Sequence, residues 1–145
     1  MSKRLIERGY HVLSSDIADR GYGHVRLDFL VEDSLPEVMQ GESCCIITNP
    51  PFKYATEFVE HALKLLPEDA PALFLLRTQA LEGKGRWERL YSRGWLHDVY
   101  QFRERVLCAK NGDFGACRAG GGGAVAYAWF LFRKQPCDTT RLHWI

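Results

Sequence analysis

The stretch that decides the fold is Cys44-Cys45-Ile46-Ile47-Thr48-Asn49-Pro50-Pro51-Phe52. Residues 44–48 are mostly apolar and predict a buried strand. The two prolines that follow hold φ near about −65° and have no N–H group, so the strand must end there. Asn49 adds a side-chain acceptor, and we expect the proline carbonyls to point outward as further acceptors. The end of this strand is therefore predicted to hold a planar amine against the ring of Phe52.

Strand-like and helix-like patterns alternate along the chain, which predicts an α/β domain with a mainly parallel sheet. Residues 55–66 carry apolar side chains at helical spacing before Pro67. Residues 72–77 form a continuous apolar run, which favours a strand buried on both faces. Two further strands are expected at residues 98–102 and 125–133, the second of which would be the final one.

The N-terminal residues predict a short helix followed by a strand. Residues 2–8 suit a helix that is closed by Gly9, and residues 10–14 suit a strand that leads to Asp16. An acid at the carboxyl end of such a strand accepts hydrogen bonds from the ribose hydroxyls of nucleotide-type cofactors. An acid there that only makes a turn or a helix cap is the alternative.

The remaining segments predict shorter elements. Residues 25–30 are expected to form a strand or turn that carries Asp28, and residues 34–39 a helix. Residues 78–85 are predicted to be a loop, and residues 86–93 a helix. The glycine-rich residues 110–123 predict a flexible connection with no site of their own, because no Lys-Ser or Lys-Thr follows as in a phosphate-binding loop.

Composition indicates one globular domain over residues 1–145, since 46% of the residues are hydrophobic and 26% are charged. The net charge of +1 provides no large field for steering to nucleic acid. Local clusters would still contact phosphates. These clusters are Lys84, Arg86 and Arg89, and Arg103 with Arg105.

Cysteine and histidine usage argues against metal and disulfide chemistry. The five cysteines include no CxxC pair, and the five histidines lack the spacing of a zinc helix. No apolar run reaches the roughly 18 residues that span a bilayer. We therefore expect a reduced, cytoplasmic protein that binds neither a metal nor a membrane, and in which Cys44 and Cys45 are buried.

The quartet Asn49-Pro50-Pro51-Phe52 resembles the catalytic motif of class I S-adenosylmethionine-dependent amino-methyltransferases, in which Asp, Asn or Ser precedes Pro-Pro and an aromatic residue. The chain looks most like the phage-type DNA adenine-N6 branch, and the resemblance covers most of its length. Further similar segments are Ser14-Ser15-Asp16-Ile17, Asp19-Arg20-Gly21-Tyr22-Gly23, Asp28-Phe29-Leu30, Ala126-Tyr127-Ala128-Trp129-Phe130 and Leu142-His143-Trp144-Ile145. The resemblance implies a Rossmann-like fold with a mostly parallel sheet and a C-terminal antiparallel strand.

The resemblance also implies a cofactor, a substrate and the residues that bind them. The cofactor would be S-adenosylmethionine and the substrate DNA, with an adenine flipped out of the duplex onto Phe52. Asn49 and the Pro50 carbonyl would hold the hydrogens of its amino group. The implied catalytic residues are Asn49, Pro50, Pro51 and Phe52, and the implied cofactor-binding residues are Asp16, Ile17, Asp28, Phe29 and Asn49.

One departure from the family pattern concerns the N-terminus. In the family, a first strand and a glycine-rich cofactor loop precede the first helix, whereas residues 1–9 are interpreted here as that helix. The sequence therefore predicts an N-terminally truncated domain with open strand edges, which a second copy or a complementing chain would cover. A catalytically inactive, methyltransferase-like binding protein is one alternative. An RNA or protein-glutamine N-methyltransferase is another, because the same quartet occurs in those enzymes.

Overall fold

The computed structural model describes residues 1–19, 21–23, 25–39, 43–107, 115 and 125–145. These residues group into two compact units, Met1–Ser34 and Leu35–Ile145. The connection predicted over residues 110–123 lies outside the described residues, apart from Gly115. None of the helices formed by the described residues is both long enough and apolar enough to cross a membrane.

The N-terminal unit contains helix α1 (Ser2–Ile6) and two short parallel strands, β1 (Ser15–Asp16) and β2 (Val25–Arg26). After α1 the chain turns at Gly9, whose φ of 86° lies in the left-handed region that glycine tolerates. A 3₁₀ turn follows β2 at Phe29–Val31.

The strand expected at residues 10–14 is displaced to Ser15–Asp16. Only two residues of β2 are available as partners, and they pair with Ser15 and Asp16 rather than with the residues before them. The expectation for residues 25–30 is met by β2 together with the turn that follows it.

The C-terminal unit is built on a five-stranded sheet whose strand order is β3-β4-β6-β5-β7. Pairs β3–β4 and β5–β7 are parallel, while β6 is antiparallel to both β4 and β5. Four strands therefore run in one direction, and the mixed α/β content is compatible with a Rossmann-like fold. The strands are β3 (Ile46–Thr48), β4 (Ala72–Arg77), β5 (Leu96–Gln101), β6 (Tyr127–Phe132) and β7 (Arg141–Trp144).

The core of this unit lies between the sheet and helix α2 (Ala55–Leu65), which contacts β4. Val59, Ala62 and Leu63 form the buried stripe of α2, as its helical spacing predicts. Phe74, Phe130 and Phe132 are fully buried in the sheet, and the rings of Phe74 and Phe132 pack edge to face with centroids 5.8 Å apart.

The prediction that β4 is buried on both of its faces is only partly correct. Its residues alternate between fully buried (Ala72, Phe74, Leu76) and half-buried (Leu73, Leu75, Arg77). Strand β3 begins at Ile46, so Cys44 is half-buried and Cys45 is exposed rather than buried within the strand. Cys44, Cys45 and Cys137 are free thiols.

Two helices differ from the prediction. Residues 34–39 form only a 3₁₀ turn at Glu37–Met39, because Pro36 disfavours the helical conformation at the residue before it. Helix α3 spans Lys84–Arg89, so it begins within the predicted loop. The chain leaves the helix at Leu90 (φ −122°, ψ −57°) and continues as a 3₁₀ turn at Tyr91–Arg93.

Candidate functional site

The predicted amine site lies where β3 ends. Asn49 is exposed, Pro50 is buried, and Pro51 is extended with φ −57° and ψ 127°. The backbone N–H of Tyr54 donates to the Pro51 carbonyl over 2.9 Å, so this carbonyl is not the free acceptor that the sequence suggests. Neither the Asn49 side chain nor the Pro50 carbonyl makes a hydrogen bond within the described part of the chain. Both acceptors are therefore unpaired within the described part of the chain.

Phe52 follows Pro50 by two positions in the chain and is 38% exposed. The guanidinium carbon of Arg77 lies 4.1 Å from the centroid of its ring, within the range of a cation–π contact. The ring of Tyr127 lies 6.0 Å away, centroid to centroid, at an angle of 38°. Phe52 therefore offers accessible aromatic surface while two neighbouring side chains constrain its ring.

Strand order explains why these residues meet. Strand β4 lies between β3 and β6, and Arg77, the last residue of β4, pairs with Tyr127, the first residue of β6. The Thr78 hydroxyl and backbone N–H both donate to the Ala126 carbonyl, over 3.3 and 3.0 Å. The ends of β3 and β4 and the start of β6 thus share one edge of the sheet.

Sequence reasoning missed Arg77 and Tyr127 as site residues. The sequence did contain one indication of Arg77, which ends an otherwise apolar strand. Parallel α/β sheets bind ligands at the edge where such strands end. Tyr127 was visible only as part of a segment with family resemblance.

Exposed aromatic and cationic side chains continue past Phe52. Tyr54 is 44% exposed, and the Lys53 ammonium lies 5.1 Å from its ring centroid. Aromatic faces beside cations are the elements from which single-stranded nucleic acids are bound, because bases stack and phosphates are attracted.

The cluster Lys84, Arg86 and Arg89 is less available for phosphates than the sequence suggests. Arg89 forms ion pairs with Glu57, over 2.9 Å, and with Glu60. Lys84 lies 3.8 Å from a Glu88 carboxylate oxygen. These carboxylates compensate most of the charge that α3 carries.

Four of the expected cofactor residues lie in the N-terminal unit, at the carboxyl ends of β1 and β2. Asp16 Oδ1 accepts from the Ala18 N–H over 2.9 Å, and Asp28 Oδ1 accepts from the Leu30 N–H over 3.1 Å. Ile17 is 61% exposed, and Phe29 is half-buried. Asn49, the fifth residue of the set, belongs to the C-terminal unit.

The chemistry of these residues fits the adenosine part of S-adenosylmethionine. An ionised carboxylate offers about four acceptor positions on its two oxygens, and ribose hydroxyls are groups that such oxygens accept from. Asp16 ends β1 and Asp28 lies two residues beyond β2, so both carboxylates follow the carboxyl ends of a parallel pair of strands. Ile17 and Phe29 add apolar side chains directly after these two carboxylates.

Among the described residues, no group of three or more His, Cys, Asp and Glu side chains is placed to hold a metal ion. No protein-family model matches the chain, and no curated protein matches it either.

Proposed function

We propose that this protein transfers a methyl group from S-adenosylmethionine to an exocyclic amino group, specifically N6 of adenine in DNA. The observation that carries the proposal is the pairing of two acceptors, Asn49 Oδ1 and the Pro50 carbonyl, with the exposed ring of Phe52. Their position at the carboxyl end of a parallel strand, together with the motif resemblance, supports a catalytic role.

The class I methyltransferase fold is part of the same proposal. Four strands in one direction, with the antiparallel β6 inserted between β4 and β5, support it. The resemblance implies an antiparallel strand at the C-terminus, whereas here the antiparallel strand is the penultimate one and β7, which follows it, runs parallel to β5.

Catalysis would depend mainly on positioning. Asn49 Oδ1 and the Pro50 carbonyl accept the two amino hydrogens, which directs the lone pair of the nitrogen away from them. Phe52 stacks on the base and fixes its plane. Because an adenine inside a duplex cannot reach such a site, the target is flipped out of the helix. Orientation of this kind lowers a barrier without a charged nucleophile.

The cofactor, when bound, would supply an electrophilic methyl group and leave as the neutral thioether, while the methylated nitrogen would lose one proton to solvent. Asp16 would accept hydrogen bonds from the ribose hydroxyls. Asp28 would bond the amino group of the adenine ring, while Phe29 and Ile17 pack against that ring. The carboxylates thereby fix the nucleoside part of the cofactor.

Calorimetric titration with S-adenosylmethionine tests the cofactor half of the proposal. Asp16→Ala should weaken binding by about 10- to 100-fold, the equivalent of one or two hydrogen bonds to a charged group. Asp19→Ala is a matched control, because Asp19 Oδ1 makes a similar turn with the Gly21 N–H over 2.8 Å. Equal loss in both variants would indicate a disturbed turn, and no binding by the folded wild type would refute the cofactor site.

Transfer of a labelled methyl group to unmethylated DNA tests the other half. Adenine-containing oligonucleotides should accept label at N6, and oligonucleotides without adenine should not. Label in RNA or in glutamine-containing peptides, but not in DNA, would move the activity to another substrate. No transfer to any of them, despite cofactor binding, would favour a binding protein.

A further inference from the structure

Arg77 is a cation at the candidate site that faces an aromatic ring rather than a carboxylate. It forms no ion pair with any described residue, and its Nε–H is buried without an acceptor. Its guanidinium lies over Phe52, 4.1 Å from the ring centroid. The side chain as a whole remains partly exposed.

Three other arginines of the C-terminal unit have hydrogen-bond acceptors for their guanidinium groups. Arg89 bonds Glu57 and Glu60, Arg141 bonds Asp98, and Arg133 donates to the Asp69 carbonyl. Because an unsatisfied buried donor is costly, internal hydrogen bonding does not explain the orientation of Arg77. An anion that a ligand brings to the exposed part of the side chain would give the other guanidinium N–H groups acceptors.

The chemistry of the guanidinium identifies the acceptor. Its planar fork of N–H donors matches the oxygens of a phosphate, and a guanidinium stacked on a ring can still donate from its edge. A base on Phe52 brings the phosphates of its own strand within reach of a side chain at that ring. A protein substrate that is methylated on a glutamine side chain, the alternative named above, would bring no such anion to the site.

We propose that Arg77 binds a backbone phosphate adjacent to the target base and keeps the Phe52 ring in its stacking orientation. The inference rests on the proposed function and makes the substrate a nucleic-acid strand. Arg77 is thus a binding residue that acts before the methyl transfer.

Binding of a fluorescent single-stranded DNA oligonucleotide, measured over a series of salt concentrations without cofactor, tests the phosphate contact. Arg77→Gln should weaken binding by about tenfold and reduce the salt slope by about 0.7, the value for one phosphate on a single strand. Arg77→Lys should retain the slope because it retains the charge. Arg93→Gln is the matched control, since Arg93 also lies over a ring, 4.8 Å from the Trp95 centroid, and should leave the slope unchanged.

A probe with a single neutral methylphosphonate next to the target adenine makes the test independent of how the variants fold. With the wild type it should reproduce the loss seen in Arg77→Gln, and in that variant it should cost nothing further. Equal slopes for wild type and a folded Arg77→Gln, or additive losses from the variant and the probe, would overturn the inference. So would a wild type that does not bind the oligonucleotide.

These outcomes are separable from the fate of the proposed function. Methyl transfer to DNA with an unchanged salt slope in Arg77→Gln would leave the function standing and overturn the phosphate contact. Arg77-dependent binding of DNA without transfer would support the contact and reject the methyltransferase.

Discussion

Asp98 on β5 and Arg141 on β7 form a two-point ion pair, with 2.8 Å between Oδ1 and Nε and 3.0 Å between Oδ2 and Nη2. His143 Nε2 also lies 2.7 Å from Asp98 Oδ1, and the His143 ring stacks on Tyr100 with centroids 4.8 Å apart. Asp98 is only 4% exposed. A buried carboxylate thus adds side-chain contacts to the backbone pairing that joins the edge strand β7 to β5.

Replacing Asp98 should loosen this edge. We expect Asp98→Ala to lower the free energy of unfolding by about 1–3 kcal/mol, because hydrogen bonds to a charged group are lost. Urea denaturation measures the change. Asp138→Ala, at an exposed position just before β7, is the control and should leave the midpoint within error. Equal effects of the two substitutions would contradict the structural role of Asp98.

The same cluster predicts a dependence of stability on pH. Burial by itself would raise the pKa of Asp98, but the hydrogen bonds and charges of Arg141 and His143 outweigh it and lower the pKa below its ordinary value. The stability that Asp98 contributes is therefore fully present above the ordinary carboxyl pKa of about 3.9 and is lost as the pH falls through the lower folded-state pKa.

Unfolding free energies of the wild type and Asp98→Asn should accordingly differ by a constant amount above about pH 5 and converge in stronger acid. Some acid sensitivity will persist in the variant. The pKa of Glu57 is also lowered, first by a hydrogen bond from its own backbone N–H and then by Arg89. A gap that widens in acid would show that the sign of the Asp98 contribution is wrong.

Two substitutions of Asn49 distinguish a role as hydrogen-bond acceptor from a structural role. Asn49→Ala should reduce methyl transfer by about 100-fold, the size of effect seen when one positioned hydrogen-bonding group is removed from an active site. Asn49→Asp retains an acceptor oxygen and should retain most of the activity. Because Asn49 is exposed, neither variant should shift the thermal midpoint appreciably. Equal activity of Asn49→Ala and wild type would remove Asn49 from the mechanism.

We expect Phe52 to contribute to activity by stacking the face of its ring on the target base. Phe52→Leu should reduce kcat/KM by about 10- to 100-fold, because stacking of a base on an aromatic ring is lost. Phe52→Tyr preserves the face and should remain active. Steady-state kinetics on a single adenine-containing oligonucleotide distinguish them. A fully active Phe52→Leu variant would mean that the base does not stack there.

Gly94 provides a test of local geometry that is independent of function. Its φ of 69° is left-handed, and a Cβ there would lie 2.7 Å from the Cys137 carbonyl oxygen. Gly94→Ala should therefore destabilise the fold by more than about 1 kcal/mol. Gly85→Ala, inside α3 with open space around the added carbon, should instead be neutral or stabilise by up to about 1 kcal/mol. Thermal melts of the pair check the contrast.

Local patterns predicted those elements whose burial matches their sequence period. The bounds of β4 agree with its continuous apolar run, and α2 agrees with its stripe of buried side chains. Strand β7 was missed because Leu142 and Trp144 are 58% and 66% exposed, so hydrophobicity there does not report burial. As a result, β6 was wrongly expected to be the final strand.

The candidate site also combines features that the local sequence predicts with features that it does not. Turn chemistry located Asn49 and the prolines at the end of a strand, which the structure confirms. Arg77 and Tyr127 reach Phe52 only because β4 pairs with β6, a long-range contact that no local pattern encodes. The sequence also does not show which proline carbonyl is a free acceptor, because this depends on the turn in which the Tyr54 N–H donates to the Pro51 carbonyl.

The single antiparallel strand has an evolutionary consequence. Because β6 runs against β5, the last residue of β5, Gln101, and the first residue of β6, Tyr127, lie on the same edge of the sheet, which also carries Phe52. Residues exchanged or inserted between these two positions would therefore be attached on both sides beside the proposed base site, without re-registering any strand of the sheet.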